Sequence, residues 1–199
     1  MKLKNIKSNN ALKKLFKKHE DLLEDVILFG SSMKGKYQPK DVDILIIFKK
    51  KVDKKVEIEL KNTFKSENLK QDIDLNSISL KELEGDNFIA REGIYLEGFS
   101  LIKNRQVNET LGFSSVAIIK YDLKNIKGSK RIRFYYALQG RNETKGFLFT
   151  IGAKRFAKNV IICDYSVVEK LKSFFEQWNI EIKILPTLIP KRLKHLILK

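Results

Sequence analysis

The sequence predicts an α/β (α+β) fold, and three observations carry that reading. Short apolar runs bounded by turn residues, such as VILF at 26–29 and VDILIIF at 42–48, have the length of buried strands. Between them lie stretches whose apolar residues recur at helical spacing. The chain of 199 residues, 43% of them hydrophobic, is large enough for one medium domain or two small ones, each with its own core.

Taken in order, Leu12, Leu15, Phe16, Leu22 and Leu23 predict a helix over 9–24. Val26–Phe29 follows as a strand, and Gly30-Ser31 as a turn that opens a short helix. Val42–Phe48 is a second buried strand. Asp53 is placed to cap a helix that carries Val56, Leu60 and Phe64 on one face. Residues 69–75, LKQDIDL, alternate like a strand. Ser79 and Glu82 form a capping-box pair at the head of another helix. GIYLEGFSLI, ending at Ile102, is expected as a further strand. The polar stretch 103–109, KNRQVNE, is the expected boundary, giving domains 1–104 and 105–199. In the second domain we expect strands at Ser115–Tyr121, Val160–Cys163 and Ile180–Leu185. Helices are expected at Lys130–Leu138 and Val167–Trp178, the latter presenting Val168, Leu171, Phe174 and Phe175 on one face. No internal repeat or low-complexity segment interrupts this order.

Charge separates the halves. Residues 1–105 hold 22 basic and 17 acidic residues, and residues 106–199 hold 18 and 7. A field of that sign attracts polyanions, nucleic acid above all. Two basic–aromatic clusters concentrate it: Lys130, Arg131, Arg133, Phe134, Tyr135 and Tyr136, running on to Gly140-Arg141, and Lys154, Arg155, Phe156 and Lys158. The cations are read as nucleic-acid contacts. Among the aromatics, Phe134 or Tyr135 is expected in the core. The single cysteine, Cys163, rules out an intramolecular disulfide and reads as a buried thiol. No apolar stretch is long enough to span a bilayer, and the N-terminus lacks a secretory apolar segment, so a cytoplasmic location with no membrane contact is expected. His19 and His195 read as surface residues; no Cys/His cluster, P-loop or dinucleotide fingerprint is present.

The chemistry-bearing pattern is an apolar run, Gly30-Ser31, nine residues, then Asp41-Val42-Asp43-Ile44. Asp41 and Asp43 are two residues apart on a strand and share a face. Like charges held side by side are unfavourable unless a cation sits between them. A second acidic pair, Asp72 and Asp74, follows on the next expected strand.

Together these features resemble the DNA polymerase β-like nucleotidyltransferase superfamily, and its minimal members most, over residues 8–102. The resemblance implies a small mixed sheet flanked by helices. It also implies transfer of a nucleoside monophosphate from an NTP, ATP among them, to an acceptor hydroxyl, with release of pyrophosphate. By that likeness Asp41, Asp43 and Asp74 are the catalytic acids and the ligands of two Mg²⁺ ions, with Mn²⁺ as an alternative. Asp74 is preferred to Asp72 because apolar residues flank it on both sides. The three acids are expected to converge on one side of the sheet, facing Gly30 and Ser31 across a cleft. Gly30, Ser31, Lys34 and Lys36 would bind the triphosphate through close backbone approach, amide and hydroxyl donors, and positive charge. Lys34 stands where minimal members commonly carry Arg.

The basic second half favours an RNA acceptor, a tRNA-like molecule or a 3′ end, held by Lys130, Arg131, Arg133, Arg141, Lys154, Arg155 and Lys158. The alternatives are a protein acceptor, as for minimal antitoxins that modify their toxin partners, and a catalytically idle nucleic-acid-binding module. A small cationic drug is a poor substrate for so basic a chain.

Overall fold

The computed structural model describes residues 10–30, 33, 41–65 and 72–198. The chain divides into two compact units, Met1–Leu111 and Gly112–Lys199.

The first unit runs α1 (Asn10–Lys18), β1 (Leu23–Phe29), β2 (Asp41–Phe48), α2 (Lys54–Lys65), β3 (Asp72–Ser79), α3 (Leu80–Glu84), α4 (Arg91–Glu97), β4 (Phe99–Ser100), β5 (Arg105–Gln106) and α5 (Val107–Thr110). Among the described residues the strands form one mixed sheet in the order β3-β2-β1-β4-β5. β1 lies antiparallel to β2 and β4, and β2 lies parallel to β3. β2 is buried on both faces, so its sequence stops alternating after Asp43. On one face Val26, Leu28, Val42, Ile44, Ile46 and Phe48 pack under Leu12 of α1 and Val56, Leu60 and Phe64 of α2. On the other, Ile27, Leu45 and Ile47 pack under Leu83 of α3, Ile94 of α4 and Val107 of α5. The result is three layers: helices, sheet, helices.

Local signals account for several boundaries. Asp53 Oδ1 accepts from the amides of Lys55 and Val56 and caps α2. Ser79 and Glu82 make the expected capping box on α3. Other expectations need correction. The first helix ends at Lys18, because Leu23 is drawn into β1 opposite Phe48. GIYLEGFSLI is not one strand: Arg91–Glu97 is helical, and only Phe99–Ser100 pairs, with β1. Its apolar residues fit either period, and burial of Ile94 against the sheet decides for the helix. The whole polar stretch 103–109 falls within the first unit, where β5 extends the sheet and Val107 enters the core.

The second unit runs β6 (Phe113–Tyr121), α6 (Gly128–Gln139), a hairpin of β7 (Gly140–Arg141) and β8 (Thr144–Lys145), α7 (Phe147–Thr150), β9 (Lys154–Ala157), β10 (Val160–Asp164), α8 (Val168–Gln177), β11 (Ile182–Pro190) and α9 (Lys194–Leu198). β6, β9, β10 and β11 form an antiparallel sheet in the order β11-β6-β10-β9. With α6 and α8 as crossovers this is the split β-α-β-β-α-β arrangement. The last strand starts at Ile182 rather than Ile180 and runs on through Pro186, which an edge strand tolerates. The core lies between the sheet and its helices: Ala117, Ile119, Tyr121, Ile161 and Cys163 from strands, and Phe134, Leu138, Leu171 and Phe175 from helices. Phe134 is at its centre, with the rings of Tyr121, Phe175 and Trp178 within 5.9 Å of its own. Among the described residues no helix is long and apolar enough to cross a membrane.

Candidate active site

The parallel pairing of β2 with β3 sets Asp41 directly beside Asp72 and Asp43 directly beside Asp74. Paired residues in adjacent strands share a face. The four carboxylates therefore form a two-by-two patch where β2 and β3 begin, on the face that carries Leu45 and Ile47 further along. Asp43 also pairs with Phe29 of β1, so the chain that leaves β1 at Gly30 starts next to it.

Gly30 fits that position for two reasons. Its φ is +73°, a left-handed conformation that side chains disfavour. A Cβ there would overlap the Asp43 carboxylate, its Cγ lying 2.8 Å away. Asp43 is half-buried, whereas Asp41, Asp72 and Asp74 are exposed. Asn76, one step along the same face, donates through Nδ2 to Asp74 Oδ1 at 3.2 Å and steadies that side chain. The sequence reading did not single out Asn76; its two-residue spacing from Asp74 was the available signal.

Like charges directly opposite one another are unfavourable in a sheet. Yet among the described residues no Lys or Arg forms an ion pair with Asp41, Asp72 or Asp74. Nor do three acidic, histidine or cysteine side chains there close around one point that could hold a metal ion. The four acids share one face of the sheet, two on each strand. Ser31, Lys34 and Lys36 lie outside the described residues.

The donor set suits a hard divalent cation. Carboxylate oxygens are its preferred ligands, and the patch holds no soft or nitrogen donor. The packing of Gly30 against Asp43 leaves backbone, without a Cβ, beside that acid.

The basic residues of the second unit are on its surface. Lys130, Arg131 and Arg133 on α6, Arg141 on β7, Arg155 on β9 and Lys158 after it are exposed; Lys154 is half-buried. Of the neighbouring aromatics, Phe134 is fully buried, as one of that pair was expected to be, while Tyr136 is 41% exposed. Burial pushes the Tyr121 hydroxyl above the usual phenol range and Tyr135 adds to this, while Arg155 and Arg131 both act in the opposite direction. His19 joins Lys18 on Glu59, tying α1 to α2.

Residues 10–98 match the family model described as Polymerase beta, Nucleotidyltransferase. No curated protein matches the chain. Solved structures with similar chains include a toxin–antitoxin with AMP-PNP, at 25% identity and TM-score 0.33, covering 47% of this chain and 73% of that one. A tri-AMPylated Shewanella oneidensis HEPN toxin in complex with MNT antitoxin matches at 22% identity and TM-score 0.32, covering 51% and 71%. A MntA–HpeT toxin–antitoxin mutant matches at 22% and 0.34, covering 46% and 70%.

Proposed function

We propose that the protein, whose residues 10–98 match the polymerase beta nucleotidyltransferase model, is a metal-dependent transferase that moves a nucleoside monophosphate from an NTP to a hydroxyl of RNA. One observation carries the reading: a two-by-two patch of carboxylates beside Gly30, with Asp41, Asp72 and Asp74 paired to no cation among the described residues. Such a patch is costly by itself and becomes useful around divalent cations.

In this reading Asp41, Asp43 and Asp74 would hold the ions. Mg²⁺ bound there supplies the positive charge that stabilises both the attacking and the leaving oxygens. Asp74, held by Asn76, takes the proton from the acceptor hydroxyl. The hydroxyl oxygen bonds to the α-phosphorus, the bond from that phosphorus to the bridging oxygen breaks, and pyrophosphate leaves. Gly30 keeps the turn open beside Asp43, and Ser31, Lys34 and Lys36 meet the triphosphate. The second unit, with 18 basic residues against 6 acidic, holds the acceptor.

The test is an incubation with Mg²⁺, each α-labelled NTP, and total cellular RNA and protein. Label in RNA with the natural protein, and none with Asp43→Asn, is the expected result. Label in protein alone would overturn the RNA acceptor, and no label in either fraction would overturn transfer.

A further inference from the structure

Residues 124–158 hold ten Lys and Arg and a single acid, Glu143. They span α6, the β7–β8 hairpin, α7 and β9, so the second unit's positive charge is concentrated on one continuous run of structure. The hairpin at its middle is tightly built. Gly140 adopts φ +93°, and a Cβ there would stand 2.7 Å from the Gly146 amide nitrogen. A Cβ on Gly146 would in turn overlap the Gly140 nitrogen and the end of α6. The two ends of the loop therefore cross in backbone contact, which no larger residue permits at either position. Asn142, at the tip, has φ 52°.

This rigid loop presents its two cations to two exposed rings. The Arg141 guanidinium lies over Tyr136 of α6, 4.8 Å from the ring centroid. The Lys145 ammonium lies over Phe149 of α7 at 4.0 Å. Tyr136 is 41% and Phe149 61% exposed, although Phe134 and Leu148, their neighbours on the same helices, are buried. Among the described residues no carboxylate pairs with Arg141 or Lys145. Each cation lies close enough to its ring to be attracted by the ring's quadrupole, so ring and charge form one paired surface. It suits a partner that brings flat apolar faces and negative charge together.

Unpaired nucleotides are such a partner. We infer that the β7–β8 hairpin and the helices flanking it are a single-strand clamp, with bases stacking on Tyr136 and Phe149 and phosphates held by Arg141 and Lys145. Duplex RNA hides its base faces and is recognised through its backbone, so it gains nothing from the rings. This rests on the RNA-acceptor reading and deepens it: the acceptor enters as an unpaired end or loop.

The experiment uses the full chain and fluorescence anisotropy with a labelled 12-nucleotide single strand of mixed sequence, and with the same strand annealed to its complement, over a salt titration. Tyr136→Ala with Phe149→Ala is expected to weaken single-strand binding about tenfold or more and to leave the salt slope unchanged. Tyr136→Phe with Phe149→Tyr keeps both rings and is expected to bind like the natural protein, which separates stacking from any loss of folding. Arg141→Ala with Lys145→Ala is expected to shrink the slope by about one to two. The clamp is overturned if the ring-deleted protein, still folded by its thermal melt, binds the single strand undiminished. It is also overturned if ring-deleted and ring-conserving variants weaken equally, or if duplex binds the natural protein as tightly as single strand. The labelled-NTP incubation reads the underlying function separately. Labelled RNA together with an undiminished ring-deleted variant removes the clamp and keeps the acceptor.

Discussion

The Asp43 carboxylate fills the space that a side chain at Gly30 would need. One residue at the end of β1 and one on β2 therefore constrain each other, and the turn and the acid form one structural unit. Gly30→Ala is expected to cost about 1–2 kcal/mol from the left-handed backbone alone, and further from the overlap. It should also displace Asp43. Urea unfolding and the transfer assay read the two effects. Unchanged stability with unchanged transfer would show that the contact is unimportant.

The ladder ranks the acids. Asp43 is half-buried and pairs with Asp74, whereas Asp41 pairs with Asp72 one step nearer the strand ends. Asp43→Asn is expected to lower transfer by about 10³-fold or more, since several kcal/mol of charge stabilisation rest on the site. Asp74→Asn should be similarly severe and Asp72→Asn within about tenfold of the natural protein. Steady-state rates with one NTP at saturating Mg²⁺ decide this; equal losses at 72 and 74 would remove the preference for Asp74. None of these variants should lose thermal stability without metal, because each relieves like-charge repulsion.

Phe134 and Tyr136, two residues apart on α6, are expected to part company. Phe134 is buried among five rings, and Phe134→Ala should cost about 3–5 kcal/mol of unfolding free energy. Tyr136→Ala should change stability by about 0.5 kcal/mol or less, as an exposed position does. Chemical denaturation of both variants checks the contrast.

Burial, with Asp164 beside it, pushes the Cys163 thiol up to about 12. At pH 8 only about one molecule in ten thousand carries the thiolate. Iodoacetamide should leave the native protein unmodified and label it in guanidinium chloride, as mass spectrometry would show. Rapid labelling of folded protein would mean that β10 opens readily.

Lys194 of α9 pairs with Asp164 of β10 at 2.6 Å. Burial tends to raise the Asp164 carboxyl, but hydrogen bonds from Lys194 and Ser166 outweigh it and hold it below the usual range. A carboxyl depressed in the folded state stabilises above its unfolded value of about 3.9, and that contribution is lost as pH falls through the folded value. Lys194→Ala should therefore lower stability at pH 7, by no more than about 1 kcal/mol, and by less at pH 2. An equal loss at both pH values would separate Lys194 from the carboxylate.

Much of this was legible because it is local. The alternation of Asp41-Val42-Asp43 and Asp72-Ile73-Asp74 fixes which residues share a face, since successive side chains on a strand point opposite ways. Asp53, Ser79 and Glu82 announce helix starts through hydrogen bonds spanning three residues. The helical faces of Val56, Leu60 and Phe64 and of Val168, Leu171 and Phe175 follow from spacing alone.

What lay beyond the sequence is non-local. Alternation says which face a carboxylate occupies but not which strand lies beside it or in what register. Only the parallel pairing of β2 with β3 sets Asp43 next to Asp74. Arg91–Glu97 became a helix because Ile94 found a place against Ile27, Leu45 and Ile47, a contact no local period reveals. The cations of the hairpin met their rings because two glycines let its ends cross. The sequence by itself determined the chemistry available on each element. Pairing and packing decided which of those groups stand together, because contacts between residues distant along the chain depend on the whole fold.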